Sequence, residues 1–175
     1  DHRDLHSFPT RRSSDLSVKV MLVSAIIVVI DQITKAVTRS AMMLGESKPV
    51  IKNFFHFTYV TNDGMAFGLN FPGGIYFFTS VSLLMTVFLG WYFWQQKESD
   101  LTLRLSLALI LAGAIGNLID RMLFGTVVDF FDFMIGSYHW YIFNIADASV
   151  TTGMILYIYN SVLKQSAVNP TTESI

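Results

Sequence analysis

From Gly74 to Trp94 the chain carries no charged side chain. About 20 apolar residues are enough to cross the hydrocarbon core of a bilayer, so this stretch reads as a membrane helix. Its end, Trp91, Tyr92 and Trp94, has the aromatic character of a membrane interface. Three further stretches have similar length and apolarity. Val18 to about Lys35 is apolar except for Lys19 and Ser24 until it reaches Asp31. Leu101 to Met122 begins with Arg104, which can snorkel, and Tyr141 to Leu163 forms the last run. Together they predict an all-α membrane protein with four transmembrane helices. With 52% hydrophobic and 14% charged residues, the chain is too apolar for an ordinary soluble domain.

The same composition excludes several kinds of chemistry. A net charge of −1 with scattered basic residues leaves no footprint for nucleic acid. Cysteine is absent, which removes disulfides, thiolate metal sites and a cysteine nucleophile. Among the four histidines there is no His-Glu-x-x-His pattern, so no catalytic metal is expected.

Residues 1–16 share neither composition nor periodicity with the rest of the chain. The run His6 to Leu16 looks like the translation of a common sequencing-adapter oligonucleotide, with a natural cytoplasmic tail as the alternative. Residues 17–165 are expected to form one four-span domain, and 166–175 a polar cytoplasmic tail. Between the first two spans, Phe54 to Thr61 is aromatic and β-branched, and Asn62-Asp63-Gly64 supplies a turn. A small β-structure on the membrane surface is expected there, and Gly125 to Tyr138 is read as a connection.

Polar groups interrupt the apolar runs at a few places. Asp31 and Lys35 lie four residues apart on one helical face, as an ion pair or as substrate contacts. Asn62 and Gly64 belong either to a plain turn or to a turn that holds a peptide chain. Asn117, Asp120 and Arg121 share one side of the third span, where a helix-locking Asp-Arg pair is the plainer reading. Asn144 and Asp147 lie one turn apart near the start of the fourth. The topology brings these groups and Asp129 to one depth near the outer surface, with both termini in the cytoplasm. Ionisable groups at such places are costly and usually functional. Without cysteine, zinc motif or Ser-His-Asp set, two facing carboxylates sharing a proton are the available hydrolytic device.

The blocks Asp31-Gln32-Ile33-Thr34-Lys35, Asn62-Asp63-Gly64-Met65-Ala66-Phe67, Gly113 to Arg121, Val127-Val128-Asp129-Phe130 and Phe143-Asn144-Ile145-Ala146-Asp147 resemble, in order and spacing, those of the lipoprotein signal peptidase (signal peptidase II) family. The resemblance covers Val18 to about Leu163. It implies an aspartyl peptidase of the bacterial inner membrane with four spans, a periplasmic β-cradle and a short periplasmic helix. The implied substrate is a diacylglyceryl-modified prolipoprotein cut on the amino side of its lipidated cysteine. Membrane lipid and the inhibitor globomycin are implied partners, and no cofactor is implied. Carried onto this sequence, the catalytic pair is Asp129 and Asp147. Asp31, Lys35, Asn62, Gly64, Asn117, Asp120, Arg121 and Asn144 would shape the site or hold substrate. Ala112 and Met65 depart from the residues common in the family, with consequences for packing.

Asp120 is an alternative member of the pair, disfavoured because the adjacent Arg121 would hold it ionised. A proton-coupled transporter using the same carboxylates is the main alternative function, although it would want charged groups at mid-depth and on both sides. A non-catalytic membrane subunit would explain the small residues from Ala112 to Gly116 but not the carboxylates.

Overall fold

A computed structural model of the chain describes the backbone of residues 11–64 and 73–168, and side chains within 18–64 and 73–162. Four long helices carry a four-stranded antiparallel sheet. In chain order these are α1 (Arg11–Ala41), β1 (Ser47–Ile51), β2 (Phe55–Asn62), α2 (Gly74–Gln95), α3 (Leu101–Phe124), β3 (Val127–Ile135), β4 (Tyr138–Phe143) and α4 (Ile145–Val168). Three of them, α1, α2 and α3, are long and apolar enough to cross a membrane among the described residues.

The helices are inside out by the standards of a soluble protein. On α1, Leu22, Ile26, Val29, Ile33 and Val37 are exposed, whereas Asp31, Lys35 and Thr38 are buried. The buried residues recur at intervals of four and three, which is one helical face. Polar groups turned inward and aliphatic ones turned outward suit a lipid solvent, which cannot satisfy a charge. α2 follows the same logic at the periphery, where Leu83, Leu84, Val87, Phe88 and Trp91 all face outward.

α3 is the central element, contacting α1, α2 and α4. Asp100 caps its start by accepting a hydrogen bond from the Leu103 N–H at 3.0 Å. Gly125 ends it in the left-handed region at φ 77°, with its N–H on the Arg121 carbonyl. The chain then enters β3 at once. Small residues bring α3 against its neighbours: a Cβ on Gly113 would collide with the Ala146 carbonyl oxygen, and one on Gly116 would come within 2.6 Å of Asp31 Oδ2.

The sheet has the order β1-β2-β3-β4. Asn62 faces Val127 and Val60 faces Asp129 across the β2–β3 ladder, so the turn after β2 sits beside the start of β3. One polar relay crosses all four strands. Ser47 Oγ and Thr58 Oγ1 lie 2.8 Å apart, Thr58 donates to buried Asp132, and His139 Nδ1 stands 2.8 Å from the same carboxylate.

Three expectations need correction. The segment expected as a connection, Gly125 to Tyr138, is mostly β3, and residues 141–143 belong to β4, so α4 begins at Ile145. Aromatic and β-branched residues serve equally in a strand or at a membrane interface, and this ambiguity hid the β3–β4 hairpin. The first helix runs on to Ala41, because Asp31, Lys35 and Thr38 all find partners inside the bundle. Beyond these three, the expected short periplasmic helix has no counterpart among the described residues, and residues 65–72 lie outside them. Met65, residues 1–10 and the end of the expected tail lie outside them.

Candidate active site

The site is built around the start of α4. Asn144 precedes the first helical residue, and its side-chain Oδ1 accepts from the Asp147 N–H at 2.9 Å. Asp147 Oδ2 reciprocates on the Asn144 N–H at 3.2 Å. This is a capping box made from Asn and Asp, and it fixes the Asp147 carboxylate in the first turn, where the helix dipole favours a negative group.

The remaining amide hydrogens of Asn144 reach β3. Its Nδ2 lies 2.7 Å from Asp129 Oδ1, 3.2 Å from the Val128 carbonyl and 3.1 Å from Asn117 Oδ1. Asn117 Nδ2 in turn donates to Asp147 Oδ1 at 2.8 Å. The two carboxylates Asp129 and Asp147 are thus bound to one asparagine, and Asn117 closes the ring.

Asp129 is 2% exposed. Burial, and after it the negative charge of Asp147, push its carboxyl up to about 7, against hydrogen bonds from Asn62 and Asn144 and the charge of Lys35. Its Oδ1 has the short bond from Asn144. Its Oδ2 has only a long contact of 3.4 Å from Asn62 Nδ2. Asn62 is itself oriented by the Gly64 N–H, 2.8 Å from its Oδ1, so its amide nitrogen is the end turned to Asp129. Gly64 adopts φ 86°, and a Cβ there would press on Phe78 of α2 at 3.1 Å. The turn closes on itself through the Asn62 side chain and at the same time sets that side chain against Asp129.

Behind this ring lies a charged layer. Lys35 Nζ touches Asp31 Oδ2 at 2.9 Å, Asn117 Oδ1 at 2.9 Å and Asp120 Oδ2 at 3.4 Å. Asp31 Oδ1 accepts from the Ala146 N–H at 2.9 Å, and Asp120 Oδ2 from the Val128 N–H at 3.1 Å. Each carboxylate therefore anchors the backbone next to one member of the Asp129–Asp147 pair. Asp120 also faces Arg39 at 3.5 Å, so it is held by two cations and a backbone donor. These contacts make Asp120 an anchor between α1 and the start of β3. Arg121 donates weakly to the Asn117 carbonyl at 3.4 Å and lies in the fields of Asp147, Asp129 and Asp120.

Two contributors were missed in the sequence. Gln32 Nε2 reaches Asp31 Oδ2 and the Gly116 carbonyl, both at 3.1 Å, tying α1 to α3. Tyr141 on β4 is exposed, within the electrostatic reach of Asp147 and Asp129. Partial burial, then the charges of Asp147 and Asp129, raise its phenol above the ordinary value. Gln32 stands inside one of the motif blocks, whereas Tyr141 could have been found only from the β3–β4 register. No group of three His, Cys, Asp or Glu side chains suited to a metal occurs among the described residues.

Long apolar helices around an acid-lined polar cluster are the frame of a membrane protein, and comparison with known proteins gives its class. Residues 23–163 match the family described as signal peptidase (SPase) II. The lipoprotein signal peptidase of Desulforapulum autotrophicum is 44% identical over 153 residues, covering 85% of this chain and 94% of that one. The one from Syntrophus aciditrophicus is 42% identical, covering 83% and 92%. A solved bacterial membrane enzyme, determined by the in meso method, superposes with a TM-score of 0.71 at 35% identity, over 90% of this chain and 93% of its own. The chain belongs to the signal peptidase II family, the lipoprotein signal peptidases, whose members remove signal peptides from prolipoproteins. The transporter reading finds no support in these relatives.

Proposed function

We propose that the chain is an aspartic endopeptidase in which Asp147 takes a proton from the attacking water and Asp129 gives one to the scissile carbonyl. The observation that carries this reading is Asn144, which binds Asp147 through its backbone N–H and Asp129 through its side chain. Near neutral pH a carboxyl raised to about 7 is substantially protonated, as a general acid must be. Its proton belongs on Oδ2, since Oδ1 is occupied by the short bond from Asn144.

Water adds to the carbonyl carbon as Asp147 accepts its proton and Asp129 protonates the oxygen, giving a neutral tetrahedral diol. Asp147 then delivers its proton to the leaving nitrogen, the C–N bond breaks, and Asp129 recovers a proton as the carbonyl reforms. No metal or cofactor enters the balance. Asn117, Asn144 and Asn62 hold the two carboxyls, while Asp31 and Asp120 hold the backbone behind them and Lys35 stands between those two and Asn117. Arg121 and Gly64 border the space open to substrate.

In this reading α4 is the fourth span, and the termini lie in the cytoplasm of a bacterial cell. The sheet forms a cradle at the periplasmic face of the inner membrane. The substrate is a prolipoprotein whose cysteine bears a diacylglyceryl group, and cleavage falls on the amino side of that cysteine. Lipid surrounds the outward aliphatic faces, and globomycin blocks the site.

Purified in detergent, the chain is expected to cleave such a lipidated prolipoprotein and to stop when globomycin is added. A folded chain that leaves this substrate intact would contradict the proposal. The acid role of Asp129 also sets a pH dependence. Above about 7 it loses the proton it must donate, so kcat/KM should fall toward tenfold per pH unit. A profile that keeps rising to pH 9 would assign the acid elsewhere.

A further inference from the structure

We propose that Lys35 is a positioning residue that dictates the orientation of the Asn117 amide and so makes Asp147 the accepting carboxylate of the pair. This rests on the Asp129–Asp147 reading and adds to it a reason why the two acids divide their work as they do.

An ammonium group donates three hydrogen bonds and accepts none. Lys35 Nζ has three acceptors around it, Asp31 Oδ2, Asn117 Oδ1 and Asp120 Oδ2, and its side chain is wholly buried. Turning the Asn117 amide over would set its NH2 against the ammonium, two donors face to face. The oxygen of Asn117 must therefore point to Lys35, and its nitrogen must point to Asp147, where it lies 2.8 Å from Oδ1. Asn144 Nδ2 also reaches Asn117 Oδ1, but it has three acceptors for two hydrogens and can release this one without leaving a donor unmet. Lys35 is the partner with no alternative.

Without that constraint the amide can present its carbonyl to Asp147. A carbonyl facing a carboxyl is satisfied only when the carboxyl carries a proton, and a protonated Asp147 cannot take one from water. Asp147 is faced by Asp129 from β3, Arg121 and Asn117 from α3 and Tyr141 from β4. Lys35 reaches it from α1 only through Asn117. Asp31 and Asp120 face Lys35 itself, with Arg39 behind Asp120.

The test is a double-mutant cycle of Lys35→Met and Asn117→Leu, read as kcat and KM for a diacylglyceryl-modified prolipoprotein at pH 6 and pH 8. Lys35→Met should lower kcat about 100-fold at pH 6, the scale of a misplaced reacting group, and less at pH 8, with KM little changed. In the Asn117→Leu background the same substitution should add almost nothing. Losses that multiply would mean that Lys35 acts by its charge or by holding the helices, and would overturn the inference. So would a loss equal at both pH values or confined to KM. If Lys35→Met does not fold, Asp31→Asn/Lys35→Met removes one buried charge of each sign and is read in the same cycle. The variants Asp129→Asn and Asp147→Asn separate the two levels of claim. Activity surviving in them overturns the dyad itself, whereas its loss there with an unmoved Lys35→Met profile overturns only the role of Lys35.

Discussion

Replacing Asp129 by Asn should lower cleavage about 10⁴-fold, the upper range for loss of a positioned general acid, and should raise the stability of the folded chain at pH 8. The two effects have one cause. Asp129 is buried beside another carboxylate, which pushes it from the ordinary 3.8 to about 7. A group raised in the folded state contributes fully below its unfolded value, and that contribution is lost as pH climbs through the folded one. The parent should therefore weaken between pH 4 and 7, and the interval corresponds to at most roughly 4 kcal/mol. Asn carries no charge and keeps an oxygen for the short bond from Asn144, giving up only the long contact to Asn62. Thermal unfolding in detergent at pH 4.5 and pH 8 checks this: the variant's advantage should appear at pH 8 and shrink at pH 4.5. An unstable variant would mean that Asp129 is retained for packing.

Gly113→Ala should cost about 3 kcal/mol of stability and most of the activity, the range for overpacking a tight interior. The added methyl would run into the Ala146 carbonyl and approach Val150 Cγ2 at 2.6 Å. Backbone cannot step aside as a long side chain can, so α4 has to move away from α3. Ala146 is the residue before Asp147, and its N–H is held by Asp31. Separation of the helices therefore pulls the turn that carries Asp147 away from Asn117. Gly90→Ala is the control, because nothing lies within 4 Å of a Cβ there. It should be neutral or slightly stabilising, as alanine favours a helix over glycine. Equal behaviour of the two variants would show that the α3–α4 contact has slack that the geometry denies.

Much of this arrangement is legible in the chain because the chemistry is local. Asn144 and Asp147 sit at capping-box spacing, Asp31 and Lys35 at ion-pair spacing, and Gly113 and Gly116 advertise a close helix contact. What a spacing cannot reveal is the partner across the bundle. That Lys35 also reaches Asn117, and that Gly116 is small to admit Asp31, depends on how α1 lies against α3. The sheet is the least legible part, since Tyr138 to Phe143 is as aromatic as a membrane boundary and runs straight into α4. Its strand identity comes from pairing with β3, a long-range property, and the same pairing sets Tyr141 beside the two acids.

The direct test of water activation by two carboxylates is a single turnover in ¹⁸O-labelled water, with excess enzyme over lipidated prolipoprotein and mass analysis of both products. Attack by water held between Asp129 and Asp147 places one ¹⁸O in the new carboxyl group of the released signal peptide and leaves both aspartates unlabelled. A first-turnover peptide without label, with ¹⁸O appearing in Asp129 or Asp147 instead, would mean that a carboxylate attacks the peptide bond itself, and would contradict the mechanism.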